Sequence, residues 1–245
     1  IPESFGAKLD ILWLRPENDF LPDLEELGRM LRPNTKLVVL NNPNNPTGAL
    51  LMGANLEEFV AVVRTSGAYI LCDEVYRGTN QVGNGFAPGM ADIYEKGISV
   101  SSMSKVFSLA GIRLGWIAAP REVLEAVSIR RDYNTISVGM IDDYFASLAL
   151  ENKEQIIGRS QKITRGNLKI LDDWVSKEHS ISYKKPQAGT TALLKYDFDI
   201  PSREFCIQLL RETGVMFTPG SVMEMEGWLR IGYANSPEVL SQGLD

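Results

Sequence analysis

Ser101-Ser102-Met103-Ser104-Lys105-Val106-Phe107-Ser108-Leu109-Ala110-Gly111-Ile112-Arg113-Leu114-Gly115-Trp116 is the stretch on which the reading of this chain turns. It follows the apolar run Ile98-Ser99-Val100, so a lysine stands just past what reads as a buried strand, among small hydroxyl residues and with few acids near it to form a surface ion pair. Lysine is the residue that condenses with an aldehyde, and partial burial lowers its pKa so that the nucleophilic neutral amine becomes accessible. Eight residues on, Arg113 offers the planar fork that suits a phosphate dianion, and Ser102 and Ser104 can donate to the same oxygens. Together these residues describe a lysine beside a phosphate pocket.

Outward from this stretch, short branched runs alternate with helical periodicity. Residues 36–40 and 68–72 read as strands buried on both faces, and between them Asn55 can cap a helix that presents Leu56, Phe59, Val60 and Val63 on one side. Residues 98–101 and 114–119 read as the strands before and after Lys105. Alternation of this kind predicts an α/β fold, a mostly parallel sheet sandwiched by helices. Nearer the start, residues 9–14 alternate loosely enough for a strand, and residues 22–31 form a helix through Leu24, Leu27, Met30 and Leu31 that Pro33 stops.

Beyond Arg121 the pattern turns helical, is broken at residues 130–135, and resumes at 140–150. Residues 152–177 predict a long connecting helix with Ile156, Ile163, Leu168, Leu171 and Trp174 buried, weakened by Gly158 and Gly166. The domain boundary is expected inside that helix, dividing a large domain, 1–163, from a small α+β domain, 164–245. The small domain reads as strands near 181–183, 191–196, 215–218 and 228–234 with a helix over 202–212.

Bulk properties narrow the function classes. The chain has 245 residues, 44% hydrophobic, with a formal net charge of -6, which suits a globular core and argues against a nucleic-acid or anionic-membrane surface. Cys72 and Cys206 lie far apart in apolar surroundings, which speaks against a disulfide framework or a cysteine zinc site and fits a reducing cytoplasm. With His179 the single histidine, Ser-His-Asp and Cys-His chemistry and multi-histidine metal sites drop out. No run reaches the roughly 18 apolar residues of a membrane span, and the first ten residues lack signal-peptide character. The chain opens on Ile1 and closes on Asp245 within what reads as an unfinished helix, so segments are expected to be missing at both ends.

Asn45, Asp73, Tyr76 and Lys105 all fall at or just beyond the C-terminal ends of inferred strands, the end at which open α/β sheets bind ligands. The segment around Lys105 resembles the pyridoxal-phosphate lysine motif of the class I/II aminotransferases, fold-type I enzymes of the aspartate aminotransferase superfamily. In that family a serine three before the lysine and an arginine eight after it bind the phosphate, and Ser102 and Arg113 match. Asn42-Pro43-Asn44-Asn45-Pro46-Thr47-Gly48 resembles the family's Asn-Pro-Thr-Gly loop, and Asp73-Glu74-Val75-Tyr76 its Asp-x-x-Tyr segment. Trp228-Leu229-Arg230-Ile231-Gly232 resembles the segment whose arginine clamps a substrate α-carboxylate.

The resemblance implies pyridoxal 5'-phosphate held by Lys105 as a Schiff base, with Lys105 as the catalytic proton carrier. Asn45 and Tyr76 would then meet the cofactor's phenolic oxygen, Asp73 its pyridine nitrogen, and Ser102 and Arg113 its phosphate, while Asn45 and Arg230 bind substrate. A carboxylate at a buried strand end needs a cationic partner, and a protonated pyridine nitrogen is one. The implied reaction is ping-pong transfer of an amino group between an amino acid and a 2-oxo acid in a homodimer. A lyase or cyclase on the same scaffold, or a non-catalytic sensing domain, would use the same motifs. In the family, the Gly-rich phosphate cradle, the ring stacked on the pyridine and a tyrosine from the partner all precede the point where this sequence starts. Arg130-Arg131-Asp132-Tyr133 is either a solvated turn or, across the dimer, a reader of acidic or aromatic substrate side chains.

Overall fold

The protein, described here from a computed structural model, is defined over residues 1–245. Asp23 accepts a hydrogen bond from the Glu26 amide and so caps α1 (Leu24–Met30), after which β1 (Leu37–Asn41) begins. Next, α2 (Gly53–Arg64) buries Leu56, Phe59, Val60 and Val63, the spacing of a single helical stripe. Strand β2 (Tyr69–Asp73), the short α3 (Met90–Ile93), β3 (Gly97–Ser102) and β4 (Gly115–Ala118) complete a sheet of order β1-β2-β3-β4. β1, β2 and β3 are parallel; β4 returns antiparallel to β3 after the Lys105 turn.

The α2 stripe packs with Leu27 of α1 and with Met90 and Tyr94 against Ile70 and Cys72. Thus α1 to α3 cover one face of the sheet. The opposite face carries Leu37 and Val39 exposed, Val39 to 65%, where the sequence predicts burial on both sides. Val38 and Leu40 pack against the helical core while Leu37 and Val39 stay exposed, so the alternating side chains of β1 are covered on one side only.

Three further helices follow: α4 (Arg121–Arg131), α5 (Met140–Glu151) and α6 (Lys153–Val175). The second sheet is assembled from β5 (Ile181–Tyr183), β6 (Thr191–Tyr196), β7 (Thr218–Pro219) and β8 (Trp228–Gly232), with α7 (Ser202–Thr213) and α8 (Pro237–Leu244). Its order is β5-β6-β8-β7, antiparallel throughout. Helix α6 serves both halves: Ile157 packs with Met103, Val106, Phe107, Ala146 and Ala149 below the Lys105 turn, whereas Leu168 and Leu171 pack with Leu194, Tyr196, Leu229 and Leu240. It runs unbroken through Gly158 and Gly166, because tertiary packing along its stripe outweighs the roughly 1 kcal/mol that each glycine costs. The middle of that stripe is polar, with Ser160, Thr164 and Asn167 buried and Ile163 only half-buried, because it meets backbone carbonyls. Ser160 donates to the Val106 carbonyl at 2.7 Å, and Asn167 to those of Tyr233 and Asn235, both at 2.7 Å.

Two expected strands differ. Residues 9–14 do alternate, with Leu12 and Leu14 half-buried against the cores and Ile11 and Trp13 exposed, yet no strand pairs with them. A period of two is a property of extended backbone, and without a ladder it makes no strand. The strand expected over 215–218 begins only at Thr218, since Met216 stays exposed and only Thr218 and Pro219 find partners on β8.

Leu171 is fully buried between α6 and the second sheet. Leu171→Ala is expected to destabilise the protein by about 2–5 kcal/mol, read as a lowered urea midpoint followed by tryptophan fluorescence. An unchanged midpoint would mean that α6 does not anchor that sheet.

Candidate active site

Parallel pairing brings strand ends to one level: Asn41 stands opposite Asp73, and Asp73 opposite Val100. Side chains then stitch the ends together. Asn41 Nδ2 donates to the Asp73 carbonyl at 2.9 Å, and the Asn45 amide donates to Asn41 Oδ1 at 2.7 Å. The loop is stiffened by Asn42, whose amide group exchanges two 2.9 Å bonds with the Leu51 backbone, and by Thr47, which donates to Asn44 Oδ1 at 2.7 Å. Gly48 takes φ +71°, and a Cβ there would stand 2.4 Å from Cβ of Pro186, so only glycine lets this loop meet the small sheet's leading segment. Its carbonyl accepts from the amides of Gln187 and Ala188 at 2.8 and 3.1 Å.

Asn45 Nδ2 donates to the hydroxyl of buried Tyr76 at 3.3 Å, and Lys105 Nζ stands 5.9 Å from the centre of the Tyr76 ring. From the other sheet, Arg230 Nη2 donates to Thr218 Oγ1 at 3.1 Å. Asn45, Tyr76, Lys105 and Arg230 share one cavity of about 260 Å³ with Thr190, Thr191 and Asn235. Along β8 and just beyond it, Arg230, Gly232 and Ala234 line the cavity while Leu229, Ile231 and Tyr233 are buried, the period of two of an extended chain.

Asp73, Ser102 and Arg113 lie at the same end of the first sheet but outside the lining of this cavity. Asp73 is half-buried; its carboxylate accepts only the Val75 amide, at 3.1 Å, and has no cationic partner. Ser102 Oγ accepts the Ser104 amide at 3.2 Å. Arg113 sits at φ +51° with its guanidinium exposed and bonded to the Ala110 carbonyl at 2.8 Å. Lys105 is exposed, not partly buried as expected: Met103, Val106 and Phe107 take the inward positions of the turn and leave the lysine pointing out. Tyr133 is 91% exposed between α4 and α5 and takes no part in the cavity.

Sequence reading passed over Thr190, Thr191 and Asn235, which follow no charged motif; their signal is their place beside a strand start and beyond a strand end. It also passed over Glu74, a buried carboxyl between Asp73 and Tyr76. Glu74 Oε1 accepts from the Met90 amide and the Ser99 hydroxyl, each at 2.6 Å, and so ties the end of β2 to α3 and β3. Burial pushes its pKa up, against the opposing pull of these two donors and of Arg77.

The model of the family "Aminotransferase class I and II" matches residues 3–244. The chain belongs to the class I and II aminotransferases. This family is pyridoxal-phosphate dependent. A crystal structure of a PLP-dependent aminotransferase from Streptococcus suis is similar at 43% identity and a TM-score of 0.95, over 99% of this chain and 64% of that one. Capreomycidine synthase of Streptomyces vinaceus is 30% identical over 240 residues, 98% of this chain and 61% of that protein. The aspartate/prephenate aminotransferase of Thermus thermophilus is 28% identical over 233 residues, 94% of this chain and 60% of that protein. The chain thus spans about 60% of the length of these curated relatives.

The raised pKa of Glu74 has a definite sign. The folded family member holds that proton to higher pH than the unfolded chain does, so the associated stability is present below the ordinary value of 4.5 and is lost as pH rises through the native value. Glu74→Gln cannot titrate. Its denaturation midpoint is expected to fall less than that of wild type as pH rises from 4.5 towards neutrality; parallel profiles would show that Glu74 has no such shift.

Proposed function

We propose that the full-length protein is a pyridoxal-phosphate-dependent aminotransferase that moves an amino group between an amino acid and a 2-oxo acid. The observation that carries this reading is the convergence of Asn45, Tyr76, Lys105 and Arg230, from four chain segments and both sheets, on one cavity. The donors suit the cofactor. Asp73 lacks a cation that a protonated pyridine nitrogen supplies, and Asn45 and Tyr76 present an amide and a phenol to its phenolic oxygen. The Ser102 hydroxyl and the exposed Arg113 fork remain available to a phosphate. When bound, pyridoxal phosphate supplies an electron-poor ring that accepts the electron pair left at Cα.

The chain's own residues do the rest. Lys105 would attach the cofactor through its amine and, once displaced by substrate, would take the proton from the substrate Cα and return it at C4′, the cofactor's aldehyde-derived carbon across the imine nitrogen. Arg230 binds the α-carboxylate with a planar, bidentate fork and so fixes which Cα bond lies near Lys105. Asp73 keeps the pyridine nitrogen charged, and Asn45 orients both partners. We assign residues 1–163 to the cofactor domain and 164–245 to the small domain, the division falling in α6 between its two packing surfaces. Assembly as a homodimer in the cytoplasm accords with the family likeness and with the two buried, unpaired cysteines. No helix is long and apolar enough to cross a membrane.

Similarity to a protein named capreomycidine synthase favours a second reading, in which the same residues serve bond formation or elimination rather than transfer. Products separate the two. Oxo-acid release that requires a second oxo acid supports transfer, whereas turnover without an acceptor supports the alternative.

Borohydride treatment of the full-length holoenzyme, followed by peptide mass mapping, is expected to find the cofactor on Lys105, and Lys105→Ala to abolish both the adduct and turnover. An adduct that survives in Lys105→Ala would overturn the assignment. Asp73→Ala is expected to cut kcat by at least about a hundredfold, with Asp73→Glu less harmed; unchanged turnover in Asp73→Ala would remove it from the site.

A further inference from the structure

The cavity has two walls, Tyr76, Asn45 and Lys105 on one sheet and Arg230 on the other, and a run of buried hydrogen bonds joins them. Tyr233 follows β8 directly and is fully buried, so its hydroxyl must find partners inside the protein. It donates to the Gly189 carbonyl at 2.8 Å and accepts from Gln81 Nε2 at 3.3 Å. The Gly189 amide donates to Thr79 Oγ1 at 2.8 Å, and Thr79 Oγ1 donates in turn to the Tyr76 carbonyl at 2.6 Å. Gly189 takes φ +87°, which points its two peptide groups at opposite neighbours without a side-chain penalty. The Tyr233 backbone is fixed as well: its amide donates to the Thr190 carbonyl at 2.9 Å, and its carbonyl accepts from Asn167 of α6 at 2.7 Å.

We propose that Tyr233 is a positioning residue: through Gly189 and Thr79 it sets the distance between Arg230 and the cofactor-side wall at Tyr76. The inference rests on the reading of Arg230 as the carboxylate clamp. Apolar contact between the two halves is non-directional and tolerates a slide of a fraction of an ångström. Hydrogen bonds do not, and a run in which each hydroxyl both gives and accepts is strengthened by mutual polarisation. The register of β8 is thereby locked three residues from Arg230, and a bidentate clamp displaced by about 1 Å loses much of its grip on a carboxylate whose Cα must also meet Lys105. Phenylalanine at 233 would fill the same core volume and delete only the hydroxyl, which makes it a clean probe.

The test uses the full-length holoenzyme as wild type, Tyr233→Phe, Thr79→Val, the double variant, Thr79→Ser and Arg230→Ala. The readouts are KM and kcat for the amino donor, the inhibition constant of propionate as an unreactive carboxylate, and cofactor affinity of the apoenzyme. Tyr233→Phe is expected to raise KM and the propionate constant about tenfold while kcat stays within about threefold and cofactor affinity holds. Thr79→Val should do the same, Thr79→Ser should rescue it, and the double variant should be no worse than the poorer single, because one break already interrupts the run. A lower melting temperature with KM and propionate binding unchanged, or losses that multiply in the double variant, would overturn the proposal. If Arg230→Ala weakens propionate and Tyr233→Phe does not, this inference fails alone; if neither does, the clamp reading fails and takes the inference with it.

Discussion

The parallel register of β1, β2 and β3 is the constraint on which the site depends. Because Asn41, Asp73 and Val100 are level, the three chains leave the sheet at the same height, and whatever follows them is held side by side. Hydrogen bonds from Asn41 to the Asp73 carbonyl and from the Asn45 amide back to Asn41 turn that coincidence of height into a fixed loop. A slip of one residue would turn every side chain to the opposite face and take Asp73 and Tyr76 from the loops they now join. The buried α2 stripe resists such a slip, since it fits only one setting of Ile70 and Cys72.

A second sheet brings the remaining wall. Gly48 lets the Asn45 loop touch the segment before β6, and α6 packs under the Lys105 turn at one end and on β6 and β8 at the other. One helix therefore carries the positions of both walls, and in its polar centre Ser160 and Asn167 bond to backbone on either side while Thr164 donates to the Ser160 carbonyl of the helix itself. Such a centre costs desolvation unless every group is paired; Asn167 Oδ1 is one buried atom left without a partner.

Much of this was legible in the sequence. Branched runs and turn residues located the first-sheet strands within a residue or two, and the spacing of Ser102, Lys105 and Arg113 marked the turn. What was not legible depends on partners distant in sequence. Residues 9–14 alternate as a strand should, but no strand lies beside them, and alternation cannot report a missing neighbour. The exposure of Lys105 follows from which turn residues point inward, and Met103, Val106 and Phe107 compete for that place in a way that composition does not rank. Glu74 was quoted as the filler of a motif, yet its two 2.6 Å bonds bind β2 to α3 and β3. Nothing in the sequence marks Tyr233 and Thr79, because the groups that reach them, Gln81 Nε2 for the Tyr233 hydroxyl and the Gly189 amide for Thr79, lie more than a hundred residues away.

Asp73 links the fold to the proposed chemistry more directly than any other residue, being a half-buried carboxylate with one backbone donor and no cation. Its proposed role is to hold the pyridine nitrogen protonated, and the nitrogen-15 chemical shift of isotopically labelled cofactor in the full-length holoenzyme reads that proton. The account requires the shift of a protonated pyridine at neutral pH in wild type and that of an unprotonated one in Asp73→Ala. An unprotonated nitrogen in wild type, or a protonated one in both proteins, would contradict it.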